Sequence, residues 1–302
     1  MDQDTISFVR SSLSQGRTVF YDFPDRYAFM LLEAAMREDE VEISSLKKGP
    51  FRSLLKKPIV RDFLGAHGRS VVRRKDLQSA WSGEVQAYRL TLGNWPRFEE
   101  KPDQRWDQIT RRGWNLVLQL NFSMSHTREL EKFVPTWRDH IGTPYHPIAG
   151  KGELTLAWAR IDLDLETREA LIEEIQSDWI QDVAYNVEVR SNEVERWKEY
   201  QRECLKPIAK RWPDTILTAA IWFLVQEIGI RSLFYHTFES GQKLKQIGAN
   251  LPPRSIYTDL PRRFCFEETH NGPLFIRDTA RKELKALFTD PLTKWFVLEL
   301  DH

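Results

Sequence analysis

Apolar residues recur at helical spacing through the first quarter of the chain and at every second position beyond Trp81, which puts a change from helices to strands near residue 78. Ile6 to Leu13 and Asp25 to Arg37 read as helices, the second with Tyr27, Met30, Leu31 and Ala34 on one face. Thr18 to Phe23 reads as a strand between them. From Ser44 to Leu64 the pattern is cut by Gly49, Pro50 and Pro58, so two short helices are expected there. Alternation then predicts strands through Val85 to Leu92 and Trp114 to Leu120. Gly93 to Arg112 and Phe133 to Gly152, broken by prolines and charges, read as exposed excursions.

The second half is more regular. Leu154 to Asp164 and Ala170 to Trp179 read as a hairpin joined by Leu165 to Glu169. Pro213 to Ile228 reads as a helix with Ile216, Ala219, Ala220, Phe223 and Leu224 on its buried face, Pro213 in its first turn and Gly229 at its end. A strand at Ile230 to His236, a helix at Glu239 to Ile247 and a strand at Phe264 to Glu268 complete the order. This order predicts an α+β (mixed α/β) fold, with one mixed sheet flanked by helices in a domain at 79–302 and a mainly helical, basic region at 1–78.

Composition excludes two broad classes. The 302 residues are 41% hydrophobic with acidic and basic groups in equal number, so wholesale disorder is ruled out. The longest nearly unbroken apolar run, Ile216 to Val225, is half of what a bilayer needs. With a polar start and only two distant cysteines, Cys204 and Cys265, a cytoplasmic location without a membrane partner is expected. Charge is uneven, however: Val41 to Ala80 carries a local net of about +7 and Lys151 to Tyr200 about −7. The basic stretch, with Lys47, Lys48, Lys56, Lys57, Arg73, Arg74 and Lys75, is a candidate for holding nucleic-acid phosphates unless the acidic segment packs against it and the two neutralise each other.

Two resemblances bear on these elements. The segment A-L-I-E-E-I-Q-S-D-W at Ala170 to Trp179, followed later by a helix and the strand R-S-L-F-Y-H-T, resembles a region of large polyvalent proteins of phages and mobile elements and of related bacterial proteins. That implies a mobile-element relation and no particular activity. The order from Leu154 to Glu268, a hairpin, a helix, a strand, a helix and a strand, is similar to the core of GNAT-type N-acetyltransferases, which implies a GNAT-like scaffold for acyl transfer. In that family a glycine-rich turn after the hairpin's second strand offers backbone N–H groups to the coenzyme pyrophosphate. Here a charged insertion at 180–212 takes that place, and no glycine stands between Gly152 and Gly229. Acetyl-CoA binding is therefore not expected, and the resemblance implies a scaffold that has lost or replaced its cofactor site.

The hairpin's second strand holds the candidate chemistry. Period two puts Leu171, Glu173, Ile175, Ser177 and Trp179 on one side and Ile172, Glu174, Gln176 and Asp178 on the other. With the turn near Thr167, Glu174 opposes Arg160 and Ile172 opposes Asp162. Arg160 and Glu174 then either pair to hold the hairpin or join Gln176 and Asp178 in a working surface. Glu173, between apolar neighbours, is expected to act as a base of raised pKa or to meet an arginine. Tyr235 and His236 end a strand, where ligands gather in α/β sheets, and Tyr257 lies in a loop that would cover the same end. The candidate catalytic residues are thus Glu173, Glu174, Asp178 and His236, with Arg160, Gln176, Trp179, Tyr235 and Tyr257 as substrate contacts. No H-E-x-x-H, C-x-x-C, G-x-S-x-G or Walker A pattern is present, so no metal site is expected. Three functions follow as alternatives: a GNAT-like enzyme or its degenerate relative, a nucleic-acid-associated protein, and a non-catalytic subunit that meets protein partners through its tryptophans.

Overall fold

A computed structural model describes residues 1–13, 17–68, 70–81, 83–96, 108–139, 146–149, 153–189, 193–245, 253–279, 288, 290 and 293–300. The strands are β1 (Arg17–Asp22), β2 (Glu40–Glu42), β3 (Val71–Arg73), β4 (Gln86–Trp95), β5 (Asn115–Asn121), β6 (Thr155–Asp164), β7 (Glu169–Gln176), β8 (Ser232–His236), β9 (Glu267–Thr269) and β10 (Trp295–Glu299). Eight of them form one sheet in the order β1-β4-β5-β6-β7-β8-β10-β9, and β2 pairs with β3 in a small ribbon. All pairings are antiparallel except β7 with β8, which the helical segment between them connects in parallel. The fold is mixed α+β.

Alternation makes the sheet two-faced. Leu116, Leu118 and Leu120 of β5 pair with Ile161, Ala159 and Ala157 of β6, and Ile161 and Ala159 pair with Ile172 and Ile175 of β7. The helix Lys206–Trp222 lies over this apolar face and buries Ile216, Leu217, Ala219 and Ala220 in the same core. Each fully buried leucine or isoleucine contributes roughly 1.5–3 kcal/mol by leaving water. The opposite face carries Gln119, Trp158 and Gln176 in one row and Arg160 and Glu174 in the next. Buried polar groups must be bonded there, so this face defines where chemistry can sit.

Several expected boundaries move. Residues 1–78 are no separate unit, because β1 pairs with β4 at the sheet edge and Ile6, Phe20 and Leu31 share one core with Leu90 and Ile216. The strand after the hairpin turn stops at Gln176. Ser177 then caps the helix Asp178–Glu188, accepting the Ile180 N–H at 3.2 Å, so Asp178 and Trp179 open a helix and do not extend the strand. Arg160 opposes Glu174 as expected, but a β-bulge makes Ile172 face Ile161, not Asp162, and leaves Glu173 as the extra residue. The long helix begins at Lys206 with Pro207 in its first turn, which places Pro213 in its interior, and a π-helix at Phe223–Ile228 carries it to Gly229.

The strand expected at Phe264 to Glu268 begins at Glu267, because Phe264 and Cys265 turn the chain after the helix Asp259–Arg263, with Cys265 at φ 62°. An unforeseen strand, β10, enters between β8 and β9. The excursion at 93–112 is not simply exposed, since Ile109 and Thr110 are fully buried. Its residues 97–107, like 140–145, 150–152, Gly16, Arg69 and Ile247, lie outside the described residues. No helix among those described is long and apolar enough to cross a membrane.

Candidate functional site

The bulge gathers a dry ionic cluster. Glu173, 0% exposed, accepts hydrogen bonds from the Thr110 N–H (3.0 Å) and the Thr110 hydroxyl (2.8 Å), and its Oε2 lies 3.1 Å from His236 Nε2. His236 is also 0% exposed, meets Ser240 Oγ through Nδ1 at 3.1 Å and stacks on Trp295. Lys245 reaches in to donate to the Glu173 carbonyl at 2.8 Å, with Glu174 Oε2 at 3.9 Å, and Arg160 pairs with that same oxygen at 2.7 Å. Burial alone would push the Glu173 carboxyl up. The His236 hydrogen bond and the Lys245 and Arg160 charges outweigh it and hold the carboxyl below its ordinary value. Burial lowers the His236 pKa, so the imidazole is neutral: its Nε2–H serves Glu173 and its Nδ1 accepts from Ser240.

Ser240, His236 and Glu173 thus form a line resembling a hydrolytic triad, but one closed off in the interior. The Ser240 hydroxyl already accepts the Thr237 N–H at 3.0 Å in a capping box, and no member is exposed. Of the expected catalytic set, Glu173 and His236 are therefore interior supports. Of the two expectations for Glu173, the raised pKa is reversed, with the Arg160 charge among the causes. Glu174 and Arg160 form the ion pair the register implied.

A second cluster opens to the surface at the end of β7. Asp178 Oδ1 lies 2.6 Å from His146 Nδ1, while its Oδ2 accepts the Trp158 indole N–H at 2.9 Å. Gln176 donates to Asp178 Oδ1 at 2.5 Å. The His146 side chain is 36% exposed, and among the described residues its hydrogen bonds are made through Nδ1 and not Nε2. The hydrogen bond to Asp178 raises the His146 pKa, burial working the other way. The backbone beside it is pinned to the sheet: Gln119 donates to the Pro147 carbonyl at 2.7 Å, and Thr155 Oγ1 accepts the Ala149 N–H at 2.9 Å. Gly93 makes room for this, since a Cβ there would stand 3.1 Å from the Gln119 amide.

The remaining candidates fall elsewhere. Trp179 is buried against Phe122 and Trp137 and donates to the Tyr200 hydroxyl, so it is core and not a substrate contact. Tyr235 and Tyr257 are also buried, 5.6 Å apart, and their hydroxyls have no hydrogen-bond partner among the described residues. In the basic segment Lys47, Lys48, Lys56 and Lys75 are exposed. Lys57 pairs with Asp25, Arg73 with Glu40, and Arg74 with Asp39 while donating to the Glu33 and Met36 carbonyls. These three tie the N-terminal helices and ribbon together. Among the described residues no group of three or more His, Cys, Asp or Glu is placed to hold a metal ion. No family model, curated protein or solved structure matches the chain.

Proposed function

We propose that the protein is an acid–base enzyme on a GNAT-like scaffold, with acyl transfer as its reaction class and His146, oriented by Asp178, as general base. The observation that carries this reading is a half-exposed imidazole whose Nδ1 is fixed by a buried carboxylate and whose Nε2 is left for a substrate. A base of this kind takes the proton from the attacking nucleophile as it adds to an acyl carbonyl and returns it to the leaving group. Asp178 stabilises the imidazolium formed between these steps. The order of hairpin, helix, parallel strand, helix and strand from β6 to β9 supports the scaffold.

The donor is not a CoA thioester bound in the usual way. At the helix start after β7, where a pyrophosphate would meet backbone N–H groups, Ser177 occupies the Ile180 N–H and the Asp178 carboxylate supplies the negative charge. The test uses p-nitrophenyl acetate as a generic acyl donor. Wild-type protein should turn it over at about a hundred times the rate of the His146→Ala variant or more. Equal rates, or no turnover by the wild type above buffer, would refute the reading.

A further inference from the structure

Near the β1 edge of the sheet lies a cavity of ≈ 400 Å³ that shares no lining residue with the His146 site; Phe23, Phe29, Trp81 and Trp222 supply its aromatic surface, Arg26 and Glu33 are charged groups in its wall, and the exposed Glu227 is a third. Its size falls in the range of small-molecule sites. Three features point to an occupant. Trp81 is 57% exposed, set against Tyr21 and Phe23 with ring centres 6.0 and 5.9 Å away, and leaves a broad indole face uncovered.

The Arg26 guanidinium, half-buried over the Phe20 ring, donates to the Tyr21 carbonyl and has no ion pair among the described residues. The nearby Asp22 acts on it electrostatically without pairing with it, its Oδ2 being held by Arg211 at 2.7 Å and by Thr215 at 2.8 Å. Glu33 is likewise engaged, accepting from Gln78 at 2.7 Å with Arg74 4.0 Å away. A charge withdrawn from water without a partner costs energy that an incoming anion recovers. Finally, Trp222 lines the cavity from just before the π-helix Phe223–Ile228 and Gln226 from within it, a wide turn of the kind often kept at functional sites.

We propose that this cavity binds a small planar aromatic acid, its carboxylate on Arg26 and its ring among Trp81, Trp222 and Phe23. The proposal is independent of the acyl-transfer reading. Calorimetric titration with 2-naphthoate should give saturable binding to the wild type, weakened about tenfold or more in Arg26→Gln, since a hydrogen-bonded charge is lost. Trp81→Ala, at an exposed position, should weaken it as well, and it keeps the test decisive if Arg26→Gln fails to fold. The amine 2-naphthylmethylamine should not compete. Absence of naphthoate binding, wild-type affinity in a folded Arg26→Gln or in Trp81→Ala, or equal binding of the amine would overturn the proposal.

Discussion

Glu173→Gln is expected to lower the unfolding free energy at pH 7 by roughly 3–5 kcal/mol, the cost of removing one member of a buried ionic group. The carboxylate is wholly enclosed, and its loss takes away one of the two glutamate carboxylates set beside the fully buried Lys245 and the Arg160 guanidinium. The same pairing sets an acid limb. Because the folded pKa lies below the value of 4.5 in an unfolded chain, this stabilisation is complete above about pH 4.5 and is lost as the pH falls through the folded value. Urea unfolding of the two proteins at pH 7 checks the first point. A difference under about 1 kcal/mol would mean that the cluster is not held by Glu173.

A separate loss is expected at milder acidity. His126 stacks on Phe122 with ring centres 3.8 Å apart and bonds the Tyr200 hydroxyl through Nε2 at 2.7 Å. Burial lowers its pKa from 6.5 to about 4. Between those values the unfolded chain binds a proton that the folded one refuses, so stability falls as the pH drops from about 6.5 to 4, by on the order of 3 kcal/mol. The lowered pKa of His236 adds in the same direction. The raised pKa of His146 acts oppositely, its contribution being lost as the pH rises through that value. In His126→Gln the decline over this window should shrink clearly, and a decline as steep as that of the wild type would assign the acid sensitivity elsewhere.

What the sequence made legible was whatever depends on short-range pattern. The hairpin, the apolar stripe of Ile216, Ala219 and Ala220, and the pairing of Arg160 with Glu174 all follow from periods of two or 3.6 and from one tight turn. The bulge at Glu173 was not legible, because an inserted residue leaves no mark in an otherwise regular strand, and it reversed the expected environment of that carboxyl. Asp178 was singled out for the wrong element: the S-D-W-I run reads equally as strand continuation or as a capped helix start, and tertiary packing of Trp179 decides for the helix. His146 carried no signal at all, since its partner lies 32 residues away and is reached through side-chain bonds from Gln119 and Thr155 to a proline-rich loop. β10 was missed because its pairing with β8 joins residues that lie far apart in the chain.

The central claim, that Asp178 prepares an accessible His146 as a base, is tested most directly by an NMR pH titration of the His146 imidazole in the wild type and in Asp178→Asn. In the wild type it should titrate freely with a pKa above 6.5, and in the variant the value should fall, because the hydrogen bond and charge that raise it are weakened or removed. A His146 that titrates at or below 6.5 in the wild type, or whose pKa is unchanged by the substitution, would contradict the account.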